Sequence, residues 1–249
     1  MQTILENGAK ISPLFTIPWV TKDLCRIDWL HCADQGVTAD WLGNLFIMFV
    51  SKMEGGSHAT RVNALWDRVQ QFYTEKSVGD RLHNLLPTML KQPKKSPKLR
   101  GSAAQVRALV PFALKCAEDL LAEGSPAEIA ALVGTRHLSE CYKALSHEST
   151  FFADVLKENS IAFALQYCAL EQFFEHPKAW RVKPKLHLFL EICSEGSKPA
   201  LFWTYRDEDF GGSVSRLARR RGGLLSVRAF SNNLLQRFRM QQPMVRMVE

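Results

Sequence analysis

The stretch IDWLHCADQGVTADWLGNLF, residues Ile27–Phe46, decides how this chain folds. Residues 24–29 alternate in polarity just where this stretch begins, which predicts a short strand that carries Asp28 near its end. His31 follows three residues later. Thr38 is predicted to be the N-cap of an amphipathic helix, because apolar residues then recur at helical spacing: Leu42, Leu45, Phe46, Phe49 and Val50. A carboxylate and an imidazole would therefore lie at the edge of a sheet, where they can meet a metal or a substrate.

The composition is that of a globular protein with a basic balance. The chain has 249 residues, of which 46% are hydrophobic and 23% charged, so it can bury a core and is not predicted to be disordered. Its formal net charge of +7 favours an anionic partner, most often nucleic acid. A basic protein without such a partner is the alternative.

Targeting and cysteine patterns narrow the class of protein. The six cysteines form no C-x-x-C pair, which argues against a zinc site and against a secreted disulfide scaffold. The opening residues lack the pattern of a signal peptide, and the most apolar window, Trp41 to Val50, is too short to span a bilayer. We expect an intracellular protein, nuclear rather than cytoplasmic, with no membrane partner.

The rest of the chain is predicted to be mainly α-helical, a bundle-like domain with one or two short strands. A basic, proline-containing loop, Lys91 to Gly101, divides an N-terminal part (1–101) from a helical part (102–249), unless the two form one continuous domain. Residues 201–205 are the other predicted strand. Ser125-Pro126-Ala127-Glu128 has the pattern of a helix start. The predicted helices are 62–75, 79–90, 102–122 with a kink at Pro111, one from 125, 137–146, 151–176, 181–193, 207–221 and 226–241.

Several polar residues are candidates for a functional site, and each has a simpler structural interpretation. Asp28 can bind a divalent cation or cap the next helix. His31 can steer an anion or serve the structure. His187 and Glu191, four residues apart, can bind a metal or pair with each other.

A second group of candidates lies near the C-terminus, in WTYRDEDFGGSVSRLARRRGG, Trp203 to Gly223. Asp207 and Glu208 stand at a helix start, where acidic residues are favourable in any case. The basic residues after them can follow a phosphate backbone or form a solvated helix face: Arg216, Arg219, Arg220 and Arg221.

Three segments, in order, resemble the catalytic region of CACTA (En/Spm-type) DDE transposases and the related Plavaka-type elements. They are IDWLHCADQGVTADWLGNLF, KLRGSAAQVRALVPFALKCA, and PKLHLFLEIC through WTYRDEDFGGSVSRLARRR. The resemblance implies an incomplete RNase H-like fold with a helical insertion. In that family an Asp of an acidic-x-x-His stretch ends a strand of the sheet.

The resemblance also implies a site and its cofactor. Asp28 would be the second acid of the triad and Glu208 the third, supported by His31, His187 and Asp207. These carboxylates would hold two Mg²⁺ or Mn²⁺ ions. DNA would be held through its phosphates by Lys94, Lys95, Arg216, Arg219, Arg220 and Arg221.

Two departures from the family pattern shape the functional expectation. The only Asp before the predicted Asp28 strand is Asp23, in the lead-in to that strand, so the first acid of the triad has no counterpart. Glu191 stands where the family usually repeats a His. We therefore expect a transposase-derived, DNA-associated protein that is not catalytic by itself. The alternatives are an active two-metal transposase or nuclease subunit and a helical scaffold that binds protein. A homo-oligomer or association with another protein fits any of them.

Overall fold

A computed structural model describes residues 13–21, 24–90, 95–146, 151–174, 179–219, 232, 235 and 236. This part of the chain is mainly α-helical, as the hydrophobic periodicity predicts, and it contains no β-strand. The chain divides into two compact units, Met1–Phe202 and Trp203–Glu249, and the predicted division at residue 101 falls inside the first. None of the described helices is long and apolar enough to cross a membrane.

The first unit contains most of the helices in the described part of the chain. They are α1 (Ala39–Lys52), α2 (His58–Glu75), α3 (Pro87–Leu90), α4 (Ala103–Ala108), α5 (Val110–Leu121), α6 (Pro126–Ser146), α7 (Ala153–Phe173) and α8 (Pro184–Ser194). A π-helical segment, Leu30–Thr38, runs directly into α1, and 3₁₀ turns form at Pro13–Thr16 and Pro199–Leu201. The second unit contributes α9 (Tyr205–Arg219).

Helix α1 is the centre of the first unit, because residues 39–46 are all buried. A helix that is buried all round must be covered on every face. The π segment, α2 and α5 pack against it, and Trp41 donates from Nε1 to Thr135 Oγ1 of α6 at 3.0 Å. The approach of α6 is close at Gly134, where a Cβ atom would lie 2.4 Å from the Trp41 ring.

Helix starts follow local sequence signals. The predicted start at Ser125 is confirmed: Ser125 N–H donates to Glu128 Oε2 at 2.7 Å, and Glu128 N–H donates to Ser125 Oγ at 3.4 Å. Ser102 and Gln105 form the same reciprocal capping box at α4. The single helix predicted over 102–122 is two helices, α4 and α5, with a break at Leu109. Pro111, near the start of α5, has no N–H to continue the hydrogen bonding of α4.

Both predicted strands are wrong. Residues 25–28 have no regular structure, the helical conformation begins at Trp29, and no neighbouring strand is present in the described residues to pair with them. In the second case, a 3₁₀ turn ends at Leu201 and α9 begins at Tyr205. An isolated extended segment leaves its backbone groups unpaired, so polarity alternation alone cannot produce a strand.

The prediction that Thr38 caps a helix is also wrong. Its backbone is helical, at φ −67° and ψ −42°, because the π segment continues into α1 without a break. Its hydroxyl is 2.7 Å from Tyr142 Oη instead.

Four other helix predictions change in extent. The helix predicted over 79–90 is limited to α3, and those predicted from 125 and over 137–146 are one helix, α6. The helix predicted from 181 begins at Pro184, because proline favours the first turn. Most of the predicted helix 226–241 lies outside the described residues.

Candidate nucleic-acid interface

Asp28 caps the helix that follows it. Its Oδ2 accepts from His31 N–H at 2.9 Å and lies 2.6 Å from His31 Nδ1, and its Oδ1 accepts from Leu30 N–H at 3.3 Å. A carboxylate that accepts from the first N–H groups of a helix stabilises that end through hydrogen bonds and the helix dipole. This geometry supports the interpretation that Asp28 caps the next helix.

The other acidic candidates do not form a metal centre in the described part of the chain. No group of three His, Cys, Asp or Glu side chains there could hold a metal ion. His187 Nε2 pairs with Glu191 Oε1 at 3.1 Å on the exposed face of α8. Asp207 and Glu208 are exposed in the first turn of α9. Asp28 and Glu208 belong to different units, so their convergence stays a prediction.

The predicted DNA-binding residues are only partly described. Lys95 and Arg216 are exposed, and Arg216 Nη2 donates to Ser213 Oγ at 2.9 Å. Arg219 is the last residue of α9. Lys94, Arg220 and Arg221 lie outside the described residues.

A second set of basic residues, which motif spacing does not predict, converges on one face of the π segment and α1. We call Lys98, Lys183 and Lys185 the lysine cluster. The helix face beneath it carries Gly36, Asp40 and Gly43, which share one side because they are four and three residues apart.

Each lysine is held by that helix face. Lys185 Nζ donates to His31 O at 2.6 Å, and its stem lies so close that a Cβ on Gly36 would be 2.7 Å from its Cδ. Lys98 Nζ donates to Gln35 O at 2.6 Å. The backbone of Lys98 crosses α1 at Gly43, where a Cβ would be 2.4 Å from Lys98 Cα.

The third lysine makes an ion pair with a buried carboxylate. Lys183 Nζ lies 2.9 Å from Asp40 Oδ1, in a direction that does not form a hydrogen bond. The Asp40 side chain is 7% exposed. One carboxylate on this face therefore stands against three ammonium groups.

The lysine cluster is dense enough to affect its own titration. Partial burial of the ammonium lowers the pKa of Lys98, and repulsion from Lys185 and Lys183 lowers it further, while Asp40 acts in the opposite direction. Electrostatic interaction of this kind requires the charges to be near one another. The arrangement can bind an anion with more than one charged oxygen, such as a phosphate backbone.

A strained residue positions two of the lysines. Trp180 has a left-handed backbone, at φ 52°, and is 2% exposed. Its N–H donates to Asn44 Oδ1 of α1 at 2.8 Å, and its ring lies 4.8 Å from that of Trp41. Non-glycine residues adopt this conformation only when surrounding contacts impose it. Trp180 therefore anchors the segment that leads to Lys183 and Lys185.

A buried polar network fixes the other side of the π segment. Asp34 is fully buried, and its Oδ1 accepts from Tyr142 Oη at 2.5 Å and from Trp29 Nε1 at 3.2 Å. Thr38 joins the network through Tyr142. A buried carboxylate requires such donors, so the network ties the π segment to α6.

Cys32 is not an activated nucleophile. Burial raises its pKa to about 11, and the nearby Lys185 only partly opposes that effect. The thiol donates weakly to Lys185 O at 3.4 Å. Thiolate chemistry requires a lowered pKa, so this environment keeps Cys32 as a buried thiol.

A signal for the lysine cluster was present in the sequence. Gly36 and Gly43 are seven residues apart with Asp40 between them, which predicts a helix face that other segments can approach closely. Arg181, Lys183 and Lys185 stand at every second position around the start of α8.

Comparison of the chain with protein-family models, with curated proteins and with solved structures gives no match.

Proposed function

We propose that this chain is a transposase-derived, DNA-associated protein that is not catalytic by itself, and that the lysine cluster of its first unit contacts DNA phosphates. The observation that carries the proposal is the convergence of three ammonium groups on one glycine-lined helix face. Its ancestry rests on the motif resemblance and concerns a helical region only, since the RNase H-like sheet has no counterpart among the described residues.

The hydrogen bonds of the lysine cluster leave it able to bind a phosphate. Each ammonium has three N–H donors, and Lys98 and Lys185 each donate one to a backbone carbonyl. Two N–H donors of each of these ammonium groups are therefore left for an anion. Because the stems are already held against the helix, binding would cost less side-chain entropy than it does for a mobile surface lysine.

The enzymatic alternative rests on the motif resemblance. Asp28 is engaged in capping, and Glu208 belongs to the other unit, so their convergence stays a prediction. The two-metal hypothesis requires both carboxylates at one site.

Salt-dependent binding to duplex DNA tests the proposal. We would measure fluorescence anisotropy of a labelled duplex with the full chain and with Lys98→Gln/Lys185→Gln, over a range of salt concentrations. Two lost phosphate contacts should weaken binding and reduce the salt slope by about 1.8. Lys183 is left in place because its removal would leave Asp40 buried and unpaired.

The control variant removes the same charge elsewhere. Lys115 and Lys143 are exposed and pair with Glu75 and Glu140, so Lys115→Gln/Lys143→Gln should leave the salt slope close to that of the wild type. Equal loss in both variants would show that only net charge matters and would contradict the proposal. Absence of salt-sensitive binding by the wild type would also end it.

One observation favours the protein-binding alternative. The outer side of α7 exposes three apolar residues at helical spacing: Ile161 at 43%, Leu165 at 64% and Phe173 at 52%. Such a stripe is typical of a surface that another helix covers. Sedimentation of the wild type and of Leu165→Gln measures this directly, since self-association that the substitution abolishes would support a protein-binding role.

A further inference from the structure

A cavity of about 450 Å³ lies between the C-terminal half of α2 and the segment that follows it. Trp66, Gln70 and Tyr73 line it from one face of α2, since they are four and seven residues apart. Arg81 and His83 line it from the opposite wall. Neither the charge of the chain nor the motif resemblance explains this cavity.

The walls of the cavity are fixed by the way α2 ends. Ser77 adopts a left-handed backbone, at φ 49°, and Val78 N–H then donates back to Tyr73 O at 3.2 Å. Arg81 braces this turn by donating from Nε to Val78 O at 2.5 Å and from Nη2 to Tyr73 O at 3.2 Å. Leu82 N–H donates to Tyr73 Oη at 3.1 Å. The cavity is therefore a formed feature of the fold.

The lining has the chemistry that recognises a planar heterocycle. Trp66 is half-buried, and its ring meets Tyr73 edge-on at 6.2 Å. The Arg81 guanidinium lies 5.8 Å from the centre of the Tyr73 ring. Gln70 and His83 offer donors and acceptors, and none of the lining residues is acidic. Tyr73 is buried, so Trp66 is the ring on which a base can stack, with the guanidinium and one side-chain amide beside it. Aromatic and guanidinium groups of this kind are those on which single-stranded bases stack.

A short chain segment connects this cavity to the lysine cluster. Gln105 Nε2 donates to Arg81 O at 2.9 Å, and Gly101 is close enough to Leu82 that a Cβ would lie 3.0 Å from its Cδ2. From Gly101 the chain reaches Lys98 in three residues, a span of at most about 11 Å. Arg100 and Lys98 are both exposed along it.

We propose that this cavity binds one base of a single-stranded nucleic acid, whose phosphate backbone continues along Arg100 to the lysine cluster. The inference rests on the proposed function, because the lysine cluster supplies the backbone contacts. The inference adds a ligand class, which is a nucleic-acid strand with an unpaired base. The phosphate contacts of the lysine cluster alone do not distinguish single strands from duplexes.

The experiment compares three labelled ligands: a single-stranded oligonucleotide, an abasic oligonucleotide of equal length and a duplex. The wild-type chain should bind the strand with bases about tenfold more tightly than the abasic strand, which is the effect of stacking one base. Trp66→Leu should remove this preference and leave duplex binding unchanged. Lys98→Gln/Lys185→Gln should weaken binding of all three ligands.

His83→Ala is the second variant, because His83 is exposed and its loss does not affect the core. It should reduce the preference for bases even if Trp66→Leu destabilises the chain, which the urea midpoint of each variant would reveal. Equal binding of the abasic and base-containing strands would overturn the inference. Salt-sensitive duplex binding in the same experiment would still support the proposed function. If a nucleoside monophosphate displaced the single-stranded oligonucleotide completely, the cavity would be a site for free nucleotides. That result would overturn the proposal that its ligand is a nucleic-acid strand. Failure to bind any of the three ligands would end both proposals.

Discussion

Replacing Gly43 by alanine tests whether the close crossing of α1 holds the lysine cluster in place. A Cβ there would be 2.4 Å from Lys98 Cα, 2.5 Å from Lys98 N and 2.6 Å from Leu99 N. These are backbone atoms, so the segment must move away from the helix. That movement would also break the bond from Leu99 N–H to Ala39 O, which is 2.8 Å long.

The magnitudes decide the sign of the effect. Alanine in place of glycine within a helix gains about 1 kcal/mol of helix propensity. Overpacking costs about 1–3 kcal/mol, and a lost backbone hydrogen bond costs about 0.5–1.5 kcal/mol. We therefore expect Gly43→Ala to lower the free energy of unfolding by about 2 kcal/mol. Displacement of Lys98 should also weaken binding to duplex DNA.

Gly36→Ala is the matched control on the same helix face. Its nearest neighbour is Lys185 Cδ, at 2.7 Å, which belongs to a side chain that can change rotamer at the cost of its hydrogen bond to His31 O. The nearest backbone atom, His31 O, is farther, at 3.1 Å. The gain in propensity then offsets most of the cost, and stability should stay within about 1 kcal/mol of the wild type. Urea unfolding followed by circular dichroism measures both variants. A Gly43→Ala chain as stable as Gly36→Ala would refute the argument from the close crossing.

Three further predictions follow from other parts of the first unit. Tyr142→Phe removes a donor to the buried Asp34 carboxylate and should destabilise the chain by about 1.5–3 kcal/mol in urea unfolding; no change would show that Asp34 is satisfied without it. Hydrogen bonds from Lys52 and Ser125 lower the pKa of Glu128 below its usual 4.5. Their stabilisation is present above that value and is lost as pH falls, so the difference in urea midpoint between wild type and Glu128→Gln should shrink from pH 7 to pH 3. Native-state alkylation followed by mass spectrometry should modify the two exposed cysteines, Cys25 and Cys168. It should spare the four buried ones, Cys32, Cys116, Cys141 and Cys193. Reaction of all six would contradict this burial.

Periodic apolar residues and capping patterns are local, so the sequence predicts the helical class and the start of α6 correctly. The strand predictions failed because a strand depends on a partner that local alternation cannot supply. Asp34 is polar in sequence and fully buried in the fold, since its donor Tyr142 lies 108 residues away. Such long-range pairing has no local sequence signal.

The candidate site was predicted least well. Lys98 falls in a segment whose composition predicts a charged loop, and its position depends on where that loop crosses Gly43. The predicted Asp28 site has a capping geometry, which was the simpler alternative. Motif spacing identifies candidate groups, whereas their convergence is a property of tertiary packing.

The π-helical segment before α1 has a consequence for how this chain tolerates length changes. A π-helix closes each hydrogen-bonded ring with one residue more than an α-helix does, and Leu30–Thr38 has this form over nine residues. Deletion of one residue there would let the segment rewind as an α-helix. Because an α-helix needs one residue fewer in each hydrogen-bonded ring, the rewinding would offset much of the rotation of about 100° that a deletion within an α-helix imposes on Asp28 relative to α1. A region that looks uniformly helical can therefore absorb a one-residue change in length, and natural variants of the chain should differ in the spacing from Asp28 to Asp40 more readily than in the length of α1.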